Sequence, residues 1–144
     1  MPSPPTRRNL DRWRAIEARL GREATIWLAT VRRDGRPHLA PVWFVWYDEK
    51  IYLATSSFSQ KYTNLRYNQN VTLSLADPYN VVLIEGEAHA ANRHTTEKVS
   101  EHFLHKYEWD FRSDDSDDWR LVEITPHKVL AWGDGYDDEG IHIL

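Results

Sequence analysis

The sequence predicts a small, mainly β protein: an antiparallel sheet closed into a barrel, with a few helices around it. Three observations lead there. At least six short segments are rich in β-branched and aromatic residues. Turn signals such as Asp34-Gly35 and Asp77-Pro78-Tyr79-Asn80 separate them, close enough together for antiparallel neighbours. The chain has 144 residues, which fits one domain spanning 1–144 with a single core, and closing the sheet would remove most exposed edges.

Along the chain, residues 1–8 are Pro-rich and read as a loose arm. Leu10, Trp13, Ile16 and Leu20 form one helical stripe, which Asn9 can cap and Gly21 can end. Ala24 to Val31 reads as a strand, Arg36 to about Tyr47 as one long strand, and Ile51 to Thr55 as a third in the same meander, with Asp48-Glu49-Lys50 as the intervening turn. A short helix follows around Leu65, ending near Asn68-Gln69-Asn70. Val71 to Ala76 and Val81 to Ala88 are strands, and Gly86 marks a bulge or a close backbone approach. Residues 93–108 return to helical spacing, with Val99, Phe103 and Tyr107 one turn apart. An acidic loop covers Ser113 to Asp118, then Trp119 to Trp132 is one long strand or two, interrupted at Thr125-Pro126. Gly133 to Gly140 is turn-like, and Ile141 to Leu144 can add a short strand.

Composition excludes several functions. Hydrophobic content of 41% with 28% charged residues fits a folded chain. A net charge of −4 argues against nucleic-acid binding. The absence of cysteine excludes disulfides, thiolate metal sites and cysteine nucleophiles. No apolar run approaches the ~18 residues of a membrane span, and no apolar segment follows the basic N-terminus as in a secretory signal, so a cytoplasmic location is the default. Seven Trp and seven Tyr suit a small core, a flat ligand or a subunit interface, and composition alone does not separate these.

Two stretches carry the functional signal. In Ala54 to Leu65, a strand ends in hydroxyl residues and opens a helix, with Lys61 beside it. Unpaired backbone N–H groups, the helix dipole and a lysine together make a phosphate site. The same residues also read as a capping box, with Ser57 as N-cap and Gln60 reaching back to it, which needs no ligand. In Leu39 to Tyr47 both alternating sets are apolar, so the strand is covered on both sides, by the core and by a ligand or a partner subunit. A buried strand with Pro41 at a bulge would show the same pattern. Other chemistry is weak. His102 and His105 sit three apart on a helix with no third ligand, so no metal site is assigned, and the Asp114 to Asp118 run lacks the glycine and glutamate of a calcium loop. No nucleophile and base pair stands out, which leaves any reactivity to a cofactor.

The order of Asp34 to Phe44, Ile51 to Thr55, Ser59-Gln60-Lys61 with Asn64-Leu65, and Val81 to Gly86 resembles the pyridoxamine 5′-phosphate oxidase-like family, and more narrowly its branch of flavin- or deazaflavin (F420)-dependent oxidoreductases. The resemblance covers about residues 24–90, with weaker agreement in Leu121 to Trp132. It implies a six- or seven-stranded split β-barrel of the FMN-binding type that dimerises, with a cofactor groove between subunits. It implies that F420 or FMN lies along Ala40, Pro41, Val42 and Trp43, and that its phosphate meets Thr55, Ser56, Ser59, Gln60, Lys61 and Asn64. A partner chain would add residues near the Tyr79–Val81 turn. The implied activity is hydride transfer to a small unsaturated or quinone-like acceptor; the alternative is a non-catalytic flavin or haem carrier on the same barrel. The oxidases themselves carry Ser-Arg-Lys where this chain has Ser59-Gln60-Lys61, and glutamine lacks arginine's bidentate fork, so pyridoxamine phosphate oxidation is not implied.

Overall fold

The computed structural model describes residues 7–114, 118–133 and 141–142. Helix α1 spans Arg7–Arg22. It starts earlier and ends later than its apolar stripe suggests. Arg7 and Arg8 therefore belong to the helix rather than to an arm, and Asn9 lies inside its first turn. Gly21 does not end it, because burial of Ile16 and Leu20 outweighs the ~1 kcal/mol a helical glycine costs. The strands are β1 (Ile26–Val31), β2 (Pro37–Val42), β3 (Val45–Tyr47), β4 (Lys50–Ser56), β5 (Asn70–Leu75), β6 (Asn80–Ala90), β7 (Trp119–Gly133) and the short β8 (Ile141–His142). Helix α2 (Gln60–Tyr67) follows β4, and α3 (Arg93–Tyr107) follows β6. All the strand pairings are antiparallel, in the order β2-β1-β5-β6-β7-β4-β3, with β8 against β7.

That order overturns the single long strand expected from Arg36 to Tyr47. The segment is two strands, and they lie at opposite ends of the sheet. Only Trp43 and Phe44 separate them. Val42 and Val45 are three residue steps apart, so the two edges come within about 11 Å there. The sheet must curl until its edges meet at this dipeptide, which gives the curled half-barrel of a split barrel. The chain turns Phe44 into the core and Trp43 outward.

Turn chemistry sets the rest. Gly35 takes φ 91° in the first hairpin, and Asp48 and Glu49 take φ 51° and 57° in the second, the positive values that tight hairpins require. Gly86 sits at a register shift between β6 and β7, facing Pro126. A Cβ there would stand 2.6 Å from the Thr125 carbonyl oxygen, so the glycine permits the close approach. Strand β7 runs unbroken through Thr125-Pro126 because this bulge absorbs the irregularity. The inner face carries the main core, including Ile26, Leu28, Leu73, Ile84 and Val129. A second cluster of Val45, Tyr52, Val99, Phe103, Phe111 and Leu121 fixes α3 against the β3–β4–β7 end.

Candidate cofactor cleft

Strand β4 ends at Ser56, and α2 begins only at Gln60. A turn closed by Ser59 N–H donating to the Ser56 carbonyl, 3.0 Å, fills the gap. The helix therefore starts two residues later than the capping-box reading places it. Ser59, not Ser57, is the N-cap, and its Oγ accepts from Tyr62 N–H at 3.1 Å. Ser57 instead donates its N–H to the Asp118 carbonyl at 2.7 Å, tying the turn to β7. Gln60 does not reach back. Its side-chain amide donates to Asn64 Oδ1 at 2.7 Å, and Asn64 Nδ2 donates to Thr30 Oγ1 at 2.9 Å.

This turn forms the polar wall of a cleft of about 660 Å³, within the usual size of a small-molecule site. Pro41, Val42, Trp43, Thr55, Ser56, Ser59 and Lys61 all line it. Three residues expected there stand elsewhere. Ala40 lies one step up β2, outside the lining, and Gln60 is exposed at the helix start. Asn64 is 1% exposed and points into the barrel, because its amide is held between Gln60 and Thr30. Asn64 thus braces α2 against β1 and cannot itself reach a ligand in the cleft.

The hydroxyl groups are already ordered. Thr55 Oγ1 and Ser59 Oγ share a hydrogen bond at 2.8 Å, and Ser56 Oγ accepts from Phe58 N–H at 3.2 Å. Lys61 is half-buried, and burial lowers its pKa below the usual lysine range. No carboxylate pairs with it among the described residues, so a partly desolvated ammonium faces the hydroxyl cluster.

The opposite wall is aromatic, and it comes from distant parts of the chain. Trp43 stacks flat on Tyr107, with centroids 4.5 Å apart and planes 2° from parallel. Trp109 meets Trp43 edge-on at 5.9 Å and Trp119 edge-on at 4.8 Å. The pairing of Ser56 with Trp119 brings the last of these beside the hydroxyl turn. Glu108 and Asp114 also line the cleft. The sequence places Tyr107 and Glu108 in the helical segment 93–108 and Trp119 at the start of a strand, and assigns none of them, nor Trp109, to a site. The excess of tryptophan was their one available signal.

Tyr107 also fixes the barrel corner. Phe44 lies between β2 and β3, so its backbone groups have no ladder partner. Its N–H donates to Tyr107 Oη at 2.9 Å. Its carbonyl accepts from Lys106 Nζ at 2.9 Å and lies 2.9 Å from Tyr107 Oη, which also reaches the Ala24 carbonyl at 2.8 Å. Burial raises the Tyr107 pKa, while the Phe44 backbone hydrogen bond lowers it. The hydroxyl keeps its proton and both donates and accepts.

Lys106 sits over the Phe44 ring at 4.0 Å, and burial lowers its pKa to about 8, opposed by the charge of Glu23. Folding therefore disfavours the charged form, and this penalty fades as pH rises from about 8 to the unfolded value of 10.5. Relative to Lys106→Met, the wild-type protein gains stability across that interval. Thermal unfolding of both proteins at each end of it checks this; a shrinking advantage contradicts it.

Similarity now decides the family. The model for pyridoxamine 5′-phosphate oxidase matches residues 13–133. The chain belongs to that family. A search of curated proteins finds no match. Among solved structures, the chain is similar to an F420 reductase at 26% identity and TM-score 0.66, covering 78% of this chain and 94% of that one. It is similar to general stress protein 26 of Bacillus anthracis at 26% identity and TM-score 0.68, covering 90% and 96%. It also shares its fold with a haem-binding protein of Mycobacterium smegmatis, at 16% identity and TM-score 0.76, covering 99% of this chain and 60% of that one. The structure is a split barrel of the pyridoxamine 5′-phosphate oxidase-like type, seven antiparallel strands in a curled half-barrel with β8 added against β7. Among the described residues, no helix is long and apolar enough to cross a membrane, and no group of three His, Asp or Glu can hold a metal ion.

Proposed function

We propose that this chain is a cytoplasmic, homodimeric oxidoreductase that uses F420 or FMN to transfer a hydride to a small unsaturated or quinone-like acceptor. One observation carries the reading: the half-buried, unpaired ammonium of Lys61 beside the ordered hydroxyls of Thr55, Ser56 and Ser59 in the cleft. An isolated desolvated cation is unfavourable, and an incoming phosphate reverses the penalty. The residues thus fit the phosphate end of such a cofactor. A bound flavin or deazaflavin supplies the hydride chemistry. The chain's own residues bind and orient: Lys61 and the hydroxyls hold the phosphate, the backbone of Pro41 to Trp43 aligns the ring, and the Trp43–Tyr107 stack walls the substrate side. Similarity to the F420 reductase supports the deazaflavin choice. The exposed Gln60, turned to Asn64, supports an activity other than pyridoxamine phosphate oxidation. Absorbance titration of the protein with F420 and with FMN tests the reading; saturable binding of neither would end it. A haem carrier is less well supported, because no histidine among the described residues lines the cleft.

The dimer rests on the outer face of the sheet. Trp27 stands opposite Pro41, Leu39 opposite Ala29, and Trp132 lies on the same outer side beyond Leu83 and Leu130. Leu39 is 62% exposed within the single chain. These apolar side chains, interrupted by Ser74 and Thr72 of β5, call for a cover. Light scattering at micromolar concentration is expected to give a dimer for the wild-type protein and a monomer for Leu39→Glu. A wild-type monomer contradicts the groove between subunits.

A further inference from the structure

The charge and shape of the cleft wall facing Lys61 restrict what can enter beside the cofactor. The rings of Trp119, Trp109, Trp43 and Tyr107 form an unbroken series, each within 5.9 Å of the next. Trp43 is 48% exposed, so indole surface is left bare beside its stack with Tyr107. Aromatic faces favour flat conjugated molecules and cations, through stacking and through the ring quadrupole. The charges agree. Among the described residues, Lys61 is the one cation that lines the cleft, against the carboxylates of Glu108 and of Asp114, the latter already engaged by another group. Glu108 falls between Tyr107 and Trp109 in the chain and lines the same cleft as these rings and Trp43. Lys106 does not line the cleft; its Nζ is held on the Phe44 carbonyl, 5.2 Å from the Tyr107 ring centroid.

We infer that the aromatic wall is the substrate subsite, and that it takes flat conjugated substrates that are neutral or cationic and rejects organic anions, with Trp43 as the stacking platform and Glu108 as the discriminating charge. The inference rests on the cofactor reading above for the word substrate, but the preference itself belongs to the wall. Glu108 caps α3 in the left-handed conformation, φ 54°. Its exposed side chain makes no hydrogen bond or ion pair with any described residue, so changing it leaves the barrel intact.

Three bicyclic probes of one shape test this: 1-methylquinolinium (cation), quinoline at a pH where it is neutral, and 2-naphthoate (anion). Each is titrated calorimetrically against the full chain carrying Lys61→Ala, so that the phosphate site cannot capture the anion. The cation and the neutral probe are expected to bind at least about 10-fold more tightly than the anion. Adding Glu108→Gln is expected to lower the cation-to-anion ratio by about threefold or more while leaving quinoline unchanged. Trp43→Leu is expected to weaken both favoured probes. Naphthoate binding as tightly as the cation, no measurable binding of any probe, or a ratio indifferent to Glu108→Gln overturns the inference. Since Lys61→Ala abolishes the phosphate site by design, these outcomes are independent of whether F420 or FMN binds the wild-type chain.

Discussion

Lys61→Ala is expected to weaken binding of the phosphorylated cofactor by about 10- to 100-fold, the range that follows from losing one charge-assisted hydrogen bond of ~1.5–3 kcal/mol. The same change is expected to stabilise the unliganded protein or leave it unaltered. Burial lowers the Lys61 pKa, so the folded chain holds the charged amine at a disadvantage, and removing the amine relieves it. This pairing of opposite signs separates a binding residue from a structural one: a lysine that served the fold would lose stability and affinity together. Titration of both proteins, with thermal unfolding in the absence of cofactor, reads both signs.

The second large effect is on the barrel corner. Tyr107→Phe keeps the ring that stacks on Trp43 but removes the hydroxyl that meets Phe44 N–H, the Phe44 carbonyl and the Ala24 carbonyl. The Phe44 carbonyl keeps Lys106, but the N–H is left without a partner. An unsatisfied buried donor costs about 1–3 kcal/mol, which for a chain of this size lowers the melting temperature by roughly 3–10 °C. Because Phe44 joins the two edges of the sheet and Trp43 precedes it, the loss is also expected to loosen the aromatic wall. Near-ultraviolet circular dichroism of the Trp43–Tyr107 stack is expected to weaken. An unchanged melting temperature and spectrum would show that the corner is held by packing alone.

Local features were legible in the sequence where local chemistry decides them. Asp34-Gly35 marks its hairpin because the turn needs a positive φ, and Gly86 marks its bulge because the Thr125 carbonyl leaves no room for a side chain. The polar half of the cleft was legible for the same reason, since Thr55 to Lys61 lie within one short stretch. The break at Trp43-Phe44 was not. Both alternating sets of Leu39 to Tyr47 are apolar, so nothing in their pattern shows a strand changing neighbours, and the change follows from pairing with β1 on one side and β4 on the other. The helix start was misplaced for a narrower reason: Ser57 and Ser59 are both competent caps, and the turn from Ser56 to Ser59 selects the second. The aromatic wall was hidden by distance. Trp119 joins the hydroxyl turn because β4 pairs with β7, which sets Ser56 against it, and Trp109 joins by packing edge-on against Trp119.

The turn from Thr55 to Lys61 is proposed to grip a phosphate. The most direct measurement compares FMN with riboflavin, and F420 with its dephosphorylated deazaflavin, in wild-type protein and in Lys61→Ala. For the cofactor that binds, the phosphorylated form is expected to be at least about 10-fold tighter in the wild-type protein, and Lys61→Ala is expected to remove most of this advantage. Equal affinity for the two forms, or an advantage that survives intact in Lys61→Ala, contradicts it.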